Sequence, residues 1–251
     1  MSTPPPPHPP DRAPRDPLTE SPPRNSAWLA VIAFGAAIAA QTHAVLTSPP
    51  DADMGHLQKI MYVHVPAAWM AFISFFVVLV FSLRYLWKRR ERDDLLAASA
   101  AEVGAVFTGL TLVLGMIWGR PAWGVWWVWD ARLTSTLVLF LIFVGYLALR
   151  AFVDDADQRA RWSAAVGAIG AINVPIVYMS VLWWRTLHQP PSSPATLDPA
   201  YTLGLRLNAI AMLLVTVYLI RKRYEIARFE RAVEHAAEAI AMGPGRGRND
   251  A

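Results

Sequence analysis

The sequence contains no cysteine, so it forms no disulfide, no thiolate metal site and no thioether link to a prosthetic group. Any metal bound by this chain therefore relies on histidine or carboxylate ligands. Charge is also scarce, because Asp, Glu, Lys and Arg make up 17% of the residues, against about a quarter in soluble domains. No glycine-rich phosphate-binding loop is present. The composition indicates a protein of the lipid bilayer that would draw any energy from ATP through another chain.

Apolar residues make up 55% of the chain and are concentrated in long blocks. Each block is close to the roughly 20 residues that a helix needs to cross a bilayer. The blocks do not alternate polar and apolar residues, as the strands of a β-barrel do. They cover residues 28–47, 62–83, 97–117, 133–149, 162–183 and 203–220. We therefore predict an all-α integral membrane protein with six transmembrane helices.

Arg and Lys are unevenly distributed between the segments that join these blocks. Eighteen of the 23 precede the first block, lie in residues 84–92 or 150–161, or follow Ile220. The positive-inside rule places these segments, and both termini, in the cytoplasm. Three segments are then expected on the outer face, namely residues 48–61, 118–132 and 184–202. The pI of about 9.6 reflects the same asymmetry and indicates contact with anionic lipid, not with nucleic acid.

The composition divides the chain into three regions. Residues 1–26 are dominated by proline and polar residues, which is typical of a disordered cytoplasmic tail. Residues 27–220 hold the six predicted helices. Residues 221–251 begin with Arg, Glu and Ala at helical spacing, which predicts a basic cytoplasmic helix followed by a tail.

The stretch WGRPAWGVWWVWDARLTS, residues 118–135, contains five of the eleven tryptophans, with Asp130 and Arg132 beside them. We predict a tryptophan-rich outer loop at residues 118–132. Indole rings offer a large flat surface that suits a wide aromatic disc such as a porphyrin. An aromatic loop lying among lipid headgroups is the alternative, and it explains the rings but not the neighbouring Asp and Arg.

Two of the six histidines stand at the outer ends of predicted helices. His64 lies in MYVHVPAAW where the second block begins, and His188 lies in WWRTLHQPP beyond the fifth. Imidazoles from different helices bracket a haem iron from opposite sides of the porphyrin plane in many proteins. A polar cap or a headgroup contact is the alternative for either histidine taken alone. His43 and His56 are also expected near the outer face, in no recognisable motif.

The charged residues near the tryptophans have separate interpretations. Arg120 and Arg132 are candidates to pair with haem propionates, since guanidinium groups bind carboxylates through paired hydrogen bonds. Asp130 is a solvated loop residue, an N-cap for the fourth helix or a partner for Arg132. We favour capping and loop shaping over acid–base catalysis, because no nucleophile lies nearby in the sequence.

The tryptophan stretch, together with YVHVPAAW, NVPIVYMSVLWWRTLHQ and LDPA, resembles the haem-handling protein C family of bacterial cytochrome c maturation, in the tryptophan-rich WWD class. The resemblance covers residues 27–220. It implies a multi-pass protein of the bacterial inner membrane that holds haem b non-covalently at its periplasmic face and delivers it to a membrane-anchored haem chaperone. The implied partners are that chaperone, the ATPase and membrane subunits of an ABC transporter, and a small single-span membrane subunit. The resemblance favours a haem-delivery or transport component that assists covalent attachment of haem to the chaperone over a free-standing enzyme.

Matched residue by residue, the axial iron ligands of the family fall on His64 and His188. With the chemistry above, the residues expected to contact haem are Trp118, Trp123, Trp126, Trp127, Trp129, Arg120 and Arg132. The residues expected to shape the loop or contact the chaperone are Gly119, Pro121, Gly124 and Asp130. Arg185 departs from the family pattern, because an uncharged polar residue is expected at its place in WWRTLHQ.

Two other functions use the same features. A haem-b electron-transfer subunit of a respiratory enzyme generally holds haem between paired histidines inside its spans, whereas this chain offers one pair at one edge. A haem permease requires an inner opening and polar residues along a path, yet the spans carry little charge. A test for quinol oxidation distinguishes an electron-transfer subunit from a haem-delivery protein. Uptake of haem into vesicles that contain this chain alone distinguishes a permease from a haem-delivery protein.

Overall fold

A computed structural model describes residues 27–190 and 197–242 of the chain. The described residues form seven α-helices and one 3-10 helix: α1 (Ala27–Thr47), the 3-10 helix (His56–Ile60), α2 (Met61–Lys88), α3 (Glu91–Trp123), α4 (Ala131–Phe152), α5 (Ala156–Gly170), α6 (Asn173–Trp183) and α7 (Pro199–Met242). Six helical segments among them are long and apolar enough to span a membrane, since α5 and α6 together make one span. The predicted all-α, six-span architecture is confirmed. The predicted tail of residues 1–26 lies outside the described residues.

The chain divides into two compact units, and α7 contributes to both. The first, residues 26–224, contains α1 to α6 and the beginning of α7. In the second, the described part is the remainder of α7 from Glu225, where Arg231 donates to Glu234 at 2.7 Å. α7 continues as a helix beyond residue 220 and ends at Met242.

α2 and α3 lie at the centre of the first unit. In the most apolar window of each, 44% of the residues are buried, whereas the figure is 17% for α1 and α4. Small residues on α3 permit close packing: a Cβ added to Gly104 would lie 2.6 Å from the ring of Phe75. Phe75 in turn stacks on Phe143 of α4, with ring centroids 3.6 Å apart. The core therefore consists mainly of α2, α3 and the adjoining face of α4.

Ion pairs fasten one end of this bundle, where α2 and α4 end and α3 begins. Asp94 of α3 accepts two hydrogen bonds from Arg150 of α4, at 2.6 and 2.9 Å. Asp93, which is 1% exposed, lies 3.2 Å from a guanidinium nitrogen of Arg84. Because consecutive helices run in opposite directions, the tryptophan-rich stretch lies at the other end.

The fifth span is interrupted between α5 and α6, at residues 171–172. Pro175 has no backbone N–H to continue the helical hydrogen bonds. The side-chain amide of Asn173 donates to the carbonyl of Ser135 in α4 at 2.9 Å. This bond ties the interruption to a neighbouring helix, in keeping with the interhelical hydrogen bonds that polar side chains form in membrane bundles.

Candidate functional site

A cavity of about 270 Å³ lies at the tryptophan-rich end of the bundle, where α2, α3, α4 and the segment after α6 meet. Aromatic and basic side chains that the sequence singled out form part of its wall: His64, His188, Trp118, Trp123, Trp127 and Arg132. Gly119 lines it as well. His43, His56, Trp126, Trp129 and Arg120 do not line this cavity.

His64 is held near the start of α2 and is 8% exposed. The indole of Trp118 meets its ring edge-on, with centroids 5.7 Å apart. A Cβ added to Gly115 of α3 would lie 3.3 Å from Cε1 of His64, so the missing side chain of Gly115 makes room for the imidazole. Nδ1 of His64 is buried and has no hydrogen-bond partner within the described residues. An imidazole in this setting has a ring nitrogen that is not committed to the fold.

His188 follows the end of α6 and is fixed by its neighbours. Its backbone N–H donates to the hydroxyl of Thr186 at 3.0 Å, and its Nδ1 lies 2.8 Å from the carbonyl oxygen of Gln189. A carbonyl only accepts, so Nδ1 carries the proton and Nε2 keeps the lone pair that a metal requires. Burial lowers the pKa of His188, and Arg132 acts in the same direction, while the Gln189 carbonyl and Asp130 oppose both. The imidazole is therefore neutral at pH 7.

The tryptophan stretch differs from the predicted loop of residues 118–132. α3 continues through Trp123, so Trp118 and Trp123 belong to its last two turns and the connection to α4 covers only residues 124–130. The helix ends at Gly124, which has a φ of 78° and donates its N–H to the carbonyl of Arg120. Gly124 thus sets the point where the connection begins. Pro121 lies exposed within the last turn of α3.

Three of the five tryptophans face the cavity. Trp118 is 9% exposed and directs its Nε1 toward the sulfur of Met54 at 3.2 Å. Trp127 has a buried Nε1 without a hydrogen-bond partner in the described part of the chain. Trp126 and Trp129 remain 58% and 76% exposed, although Trp129 touches Trp127 edge-on. Of the five tryptophans expected to contact one ligand, only Trp118, Trp123 and Trp127 line the cavity.

Gly119 and Trp123 are neighbours on α3 that shape the wall together. A Cβ added to Gly119 would come within 3.0 Å of the six-membered ring of Trp123. The absence of a side chain at residue 119 therefore lets this indole lie against its own helix. Trp123 also approaches His188, with ring centroids 6.4 Å apart.

The two arginines predicted to bind propionates occupy different environments. Arg132 lies in the first turn of α4 on the cavity wall, and its buried Nε has no partner among the described residues. Arg120 is exposed and donates to the carbonyl of Gly124 at 2.6 Å, which satisfies the end of α3. The structure thus brings one arginine to the cavity and uses the other as a helix cap.

Asp130 caps α4, as predicted, by accepting a hydrogen bond from the N–H of Leu133 at 2.8 Å. Its second carboxylate oxygen accepts a hydrogen bond from the hydroxyl of Thr186. The sequence analysis did not identify Thr186, nor Met54 and Gly115. Thr186 stands two residues before His188 in WWRTLHQ, and this proximity is the one signal in the sequence that pointed to it.

These features define the class: a multi-pass helical membrane protein with a buried aromatic cavity at one end. Two histidines line the cavity, together with an arginine whose buried Nε has no hydrogen-bond partner among the described residues. Comparison with known proteins specifies the family. Residues 17–237 match the family model described as heme exporter protein C, and the chain belongs to this family. It is a protein of haem handling in cytochrome c biogenesis.

Relatives in bacteria and in a plant organelle support this assignment. The chain is 45% identical to heme exporter protein C of Bradyrhizobium diazoefficiens over 187 residues, which cover 72% of this chain and 71% of the relative. It is 39% identical to heme exporter protein C of Escherichia coli K12 over 197 residues, covering 77% and 80%. It is 43% identical to a putative cytochrome c biosynthesis mitochondrial protein of Marchantia polymorpha over 148 residues, covering 59% and 62%. The resemblance identified in the sequence is confirmed.

Proposed function

We propose that the chain binds haem b non-covalently in this cavity, at the periplasmic face of the bacterial inner membrane, and delivers it to a membrane-anchored haem chaperone. His64 and His188 would be the axial ligands of the iron. The observation that carries the proposal is that both imidazoles line one aromatic cavity. Haem is the cargo of this protein, and the chemistry at its iron belongs to the later steps of maturation.

The side chains on the cavity wall are of the chemical types that bind haem. Nδ1 of His64 is uncommitted, and the contact between Nδ1 of His188 and the Gln189 carbonyl leaves Nε2 of His188 available. Neutral imidazole nitrogens are common axial ligands of haem iron. Trp127 and Arg132 each present a buried donor without a partner in the described residues, and haem propionates are acceptors that suit both. A ligand with one metal centre, a flat apolar ring and peripheral carboxylates offers a partner to each of these groups.

The periplasmic location rests on charge. Segments rich in Arg and Lys join the helices at the end fastened by Asp94 and Arg150, whereas the cavity lies at the opposite end. The positive-inside rule then places the basic end and both termini in the cytoplasm. The cavity faces the periplasm in this orientation, which is where c-type cytochromes receive haem in bacteria.

Delivery requires a surface beside the cavity that a second protein can reach. Trp126 and Trp129 are exposed on the connection that also supplies Trp127 to the cavity. Exposed tryptophans are frequent anchors of protein interfaces. We assign these two to chaperone contact and the cavity-lining tryptophans to haem. The ABC transporter subunits and the small single-span subunit complete the proposed assembly, because the chain has no phosphate-binding loop of its own.

The proposal is tested on full-length protein purified in detergent from haem-replete cells. The wild type is expected to show a low-spin haem spectrum, and His64→Ala and His188→Ala are expected to lose haem or to show an altered spectrum. His56→Ala is the matched control, since His56 is exposed and away from the cavity. Unchanged haem content and unchanged chaperone loading in both cavity variants would refute the ligand assignment. Quinol-dependent reduction of the haem would favour an electron-transfer subunit instead.

A further inference from the structure

We propose that Thr186 and Asp130 form a strut that positions His188 for iron ligation, an inference that rests on the proposed function. In this strut, the hydroxyl of Thr186 donates to Asp130 and accepts from the backbone N–H of His188. Thr186 is a positioning residue, because it acts on the iron only through His188.

The need for a strut follows from where His188 lies. α6 ends at Trp183, Trp184 is extended, and residues 184–190 contain no helix. His188 therefore has no helical hydrogen bonds to hold its backbone in place. A ligand on an irregular segment must be fixed by side chains if its imidazole is to keep one position.

Asp130 provides the fixed point of the strut. One of its carboxylate oxygens accepts the N–H of Leu133 in the first turn of α4, and the other accepts the hydroxyl of Thr186. The segment that carries His188 is thereby tied to the start of a membrane-spanning helix. Arg132 lies in that same first turn, so the strut also sets the spacing between the guanidinium and the imidazole on the cavity wall.

The chemistry of the strut is specific for a hydroxyl. At this position one atom must donate to a carboxylate and accept from an amide simultaneously, which Ser and Thr can do. Valine has nearly the same shape as threonine but offers neither function. Thr186→Ser should therefore keep the strut, and Thr186→Val should remove it with little change in volume.

Thr47 provides a matched control at the same end of the bundle and outside the cavity. Its hydroxyl donates to the carbonyl of His43 within its own helix, at 2.8 Å, and takes no part in holding His188. Thr47→Val removes a hydroxyl without touching the strut or the cavity wall. The two valine variants thus differ in whether the lost hydroxyl is connected to the ligand.

The experiment titrates haem into full-length apoprotein in detergent and records the dissociation constant, the absorption spectrum and the thermal unfolding of the apoprotein. Loss of a group that orients a metal ligand typically weakens binding by about 10- to 100-fold. We expect a loss of this size for Thr186→Val, with a reduced low-spin fraction in its spectrum. Thr186→Ser and Thr47→Val are expected to match the wild type. Thr186→Ala replaces Thr186→Val if the latter does not fold.

A double substitution separates positioning from a general effect on the cavity. In the His188→Ala background the strut has no ligand to position, so adding Thr186→Val should change haem binding no further. If Thr186→Val binds haem like the wild type while His188→Ala loses it, the strut is refuted and the proposed function stands. An undiminished effect of Thr186→Val in the His188→Ala background would also refute the strut. If His188→Ala itself binds haem normally, the ligand assignment fails, and the strut fails with it.

Discussion

Arg132→Met should weaken haem binding while leaving the apoprotein at least as stable as the wild type. This combination arises because Arg132 has a buried Nε without a partner among the described residues, on the wall of the cavity. A hydrogen bond to a charged group contributes about 1.5–3 kcal/mol. At about 1.4 kcal/mol per tenfold change, loss of one such bond to a propionate raises the dissociation constant by about 10- to 150-fold.

The effect on the apoprotein has the opposite sign. One unsatisfied buried donor costs about 1–3 kcal/mol, and Met removes that donor while keeping an unbranched side chain in the first turn of α4. Part of the gain is offset, because Arg132 is attracted to Asp130. We therefore expect the apo form of Arg132→Met to unfold at an equal or higher temperature than the wild type.

The assay compares ordinary haem with haem whose two propionates are esterified. Wild type should bind the ester more weakly than free haem, and this difference should shrink in Arg132→Met, since the coupling between the two changes measures the pair itself. Arg120→Met is the control: it loses the bond to the Gly124 carbonyl, so the fold is weakened while the haem dissociation constant stays the same. Equal binding of ester and free haem by wild type, or equal losses in both arginine variants, would refute the pairing of Arg132 with a propionate.

Two further predictions concern stability. Asp94→Ala should lower the free energy of unfolding by about 1.5–3 kcal/mol, because it leaves the partly buried Arg150 without its two short hydrogen bonds. Thermal unfolding in detergent measures this, and an effect as small as that of the exposed Glu234→Gln would contradict it. Burial lowers the pKa of His188 below its ordinary 6.5, so its neutral form stabilises the apoprotein fully above pH 6.5 and this contribution is lost as the pH falls through the lowered pKa. Substituting His188→Gln should therefore reduce the fall in unfolding temperature between pH 7 and pH 5, and an unchanged pH profile would contradict the shift.

The six spans were predictable because length and apolar content are a strong signal, but the end of α3 was not. The letters WGRPAW contain Gly and Pro, which locally favour a turn. The helix nevertheless continues through Trp123, because burial of Trp118 and its contact with Met54 hold these turns in place. Tertiary packing outweighed the local preference, and Gly124, with its positive φ, terminated the helix.

The main residues of the candidate site were predictable from the sequence. Which of them line the cavity and which have other roles was not. Topology alone brought His64 and His188 to one end, since both lie where predicted spans meet the same face. Side chains in an irregular connection follow no helical or strand repeat that would assign them to one face. The sequence therefore did not reveal that Trp127 faces the cavity while Trp126 and Trp129 do not. The role of Thr186 could not be predicted from the sequence, because its partner Asp130 is 56 residues away and only the fold brings the two together.

Three buried polar atoms on the cavity wall have no hydrogen-bond partner within the described residues. Nδ1 of His64, Nε1 of Trp127 and Nε of Arg132 are buried without partners in the described part of the chain, whereas the nearby groups of Asp130 and Trp118 are bonded. Buried polar groups of this kind reduce the stability of the apo form, and a ligand that pairs with them removes the cost. On the proposed function, haem supplies these partners when it enters, and the cavity loses them again when haem leaves. Relief of the unsatisfied apo site therefore adds to the binding free energy, so the same contacts give tighter binding here than in a site whose polar groups are already paired. On the proposed function, the transfer step must then compensate for the loss of these pairings when haem leaves.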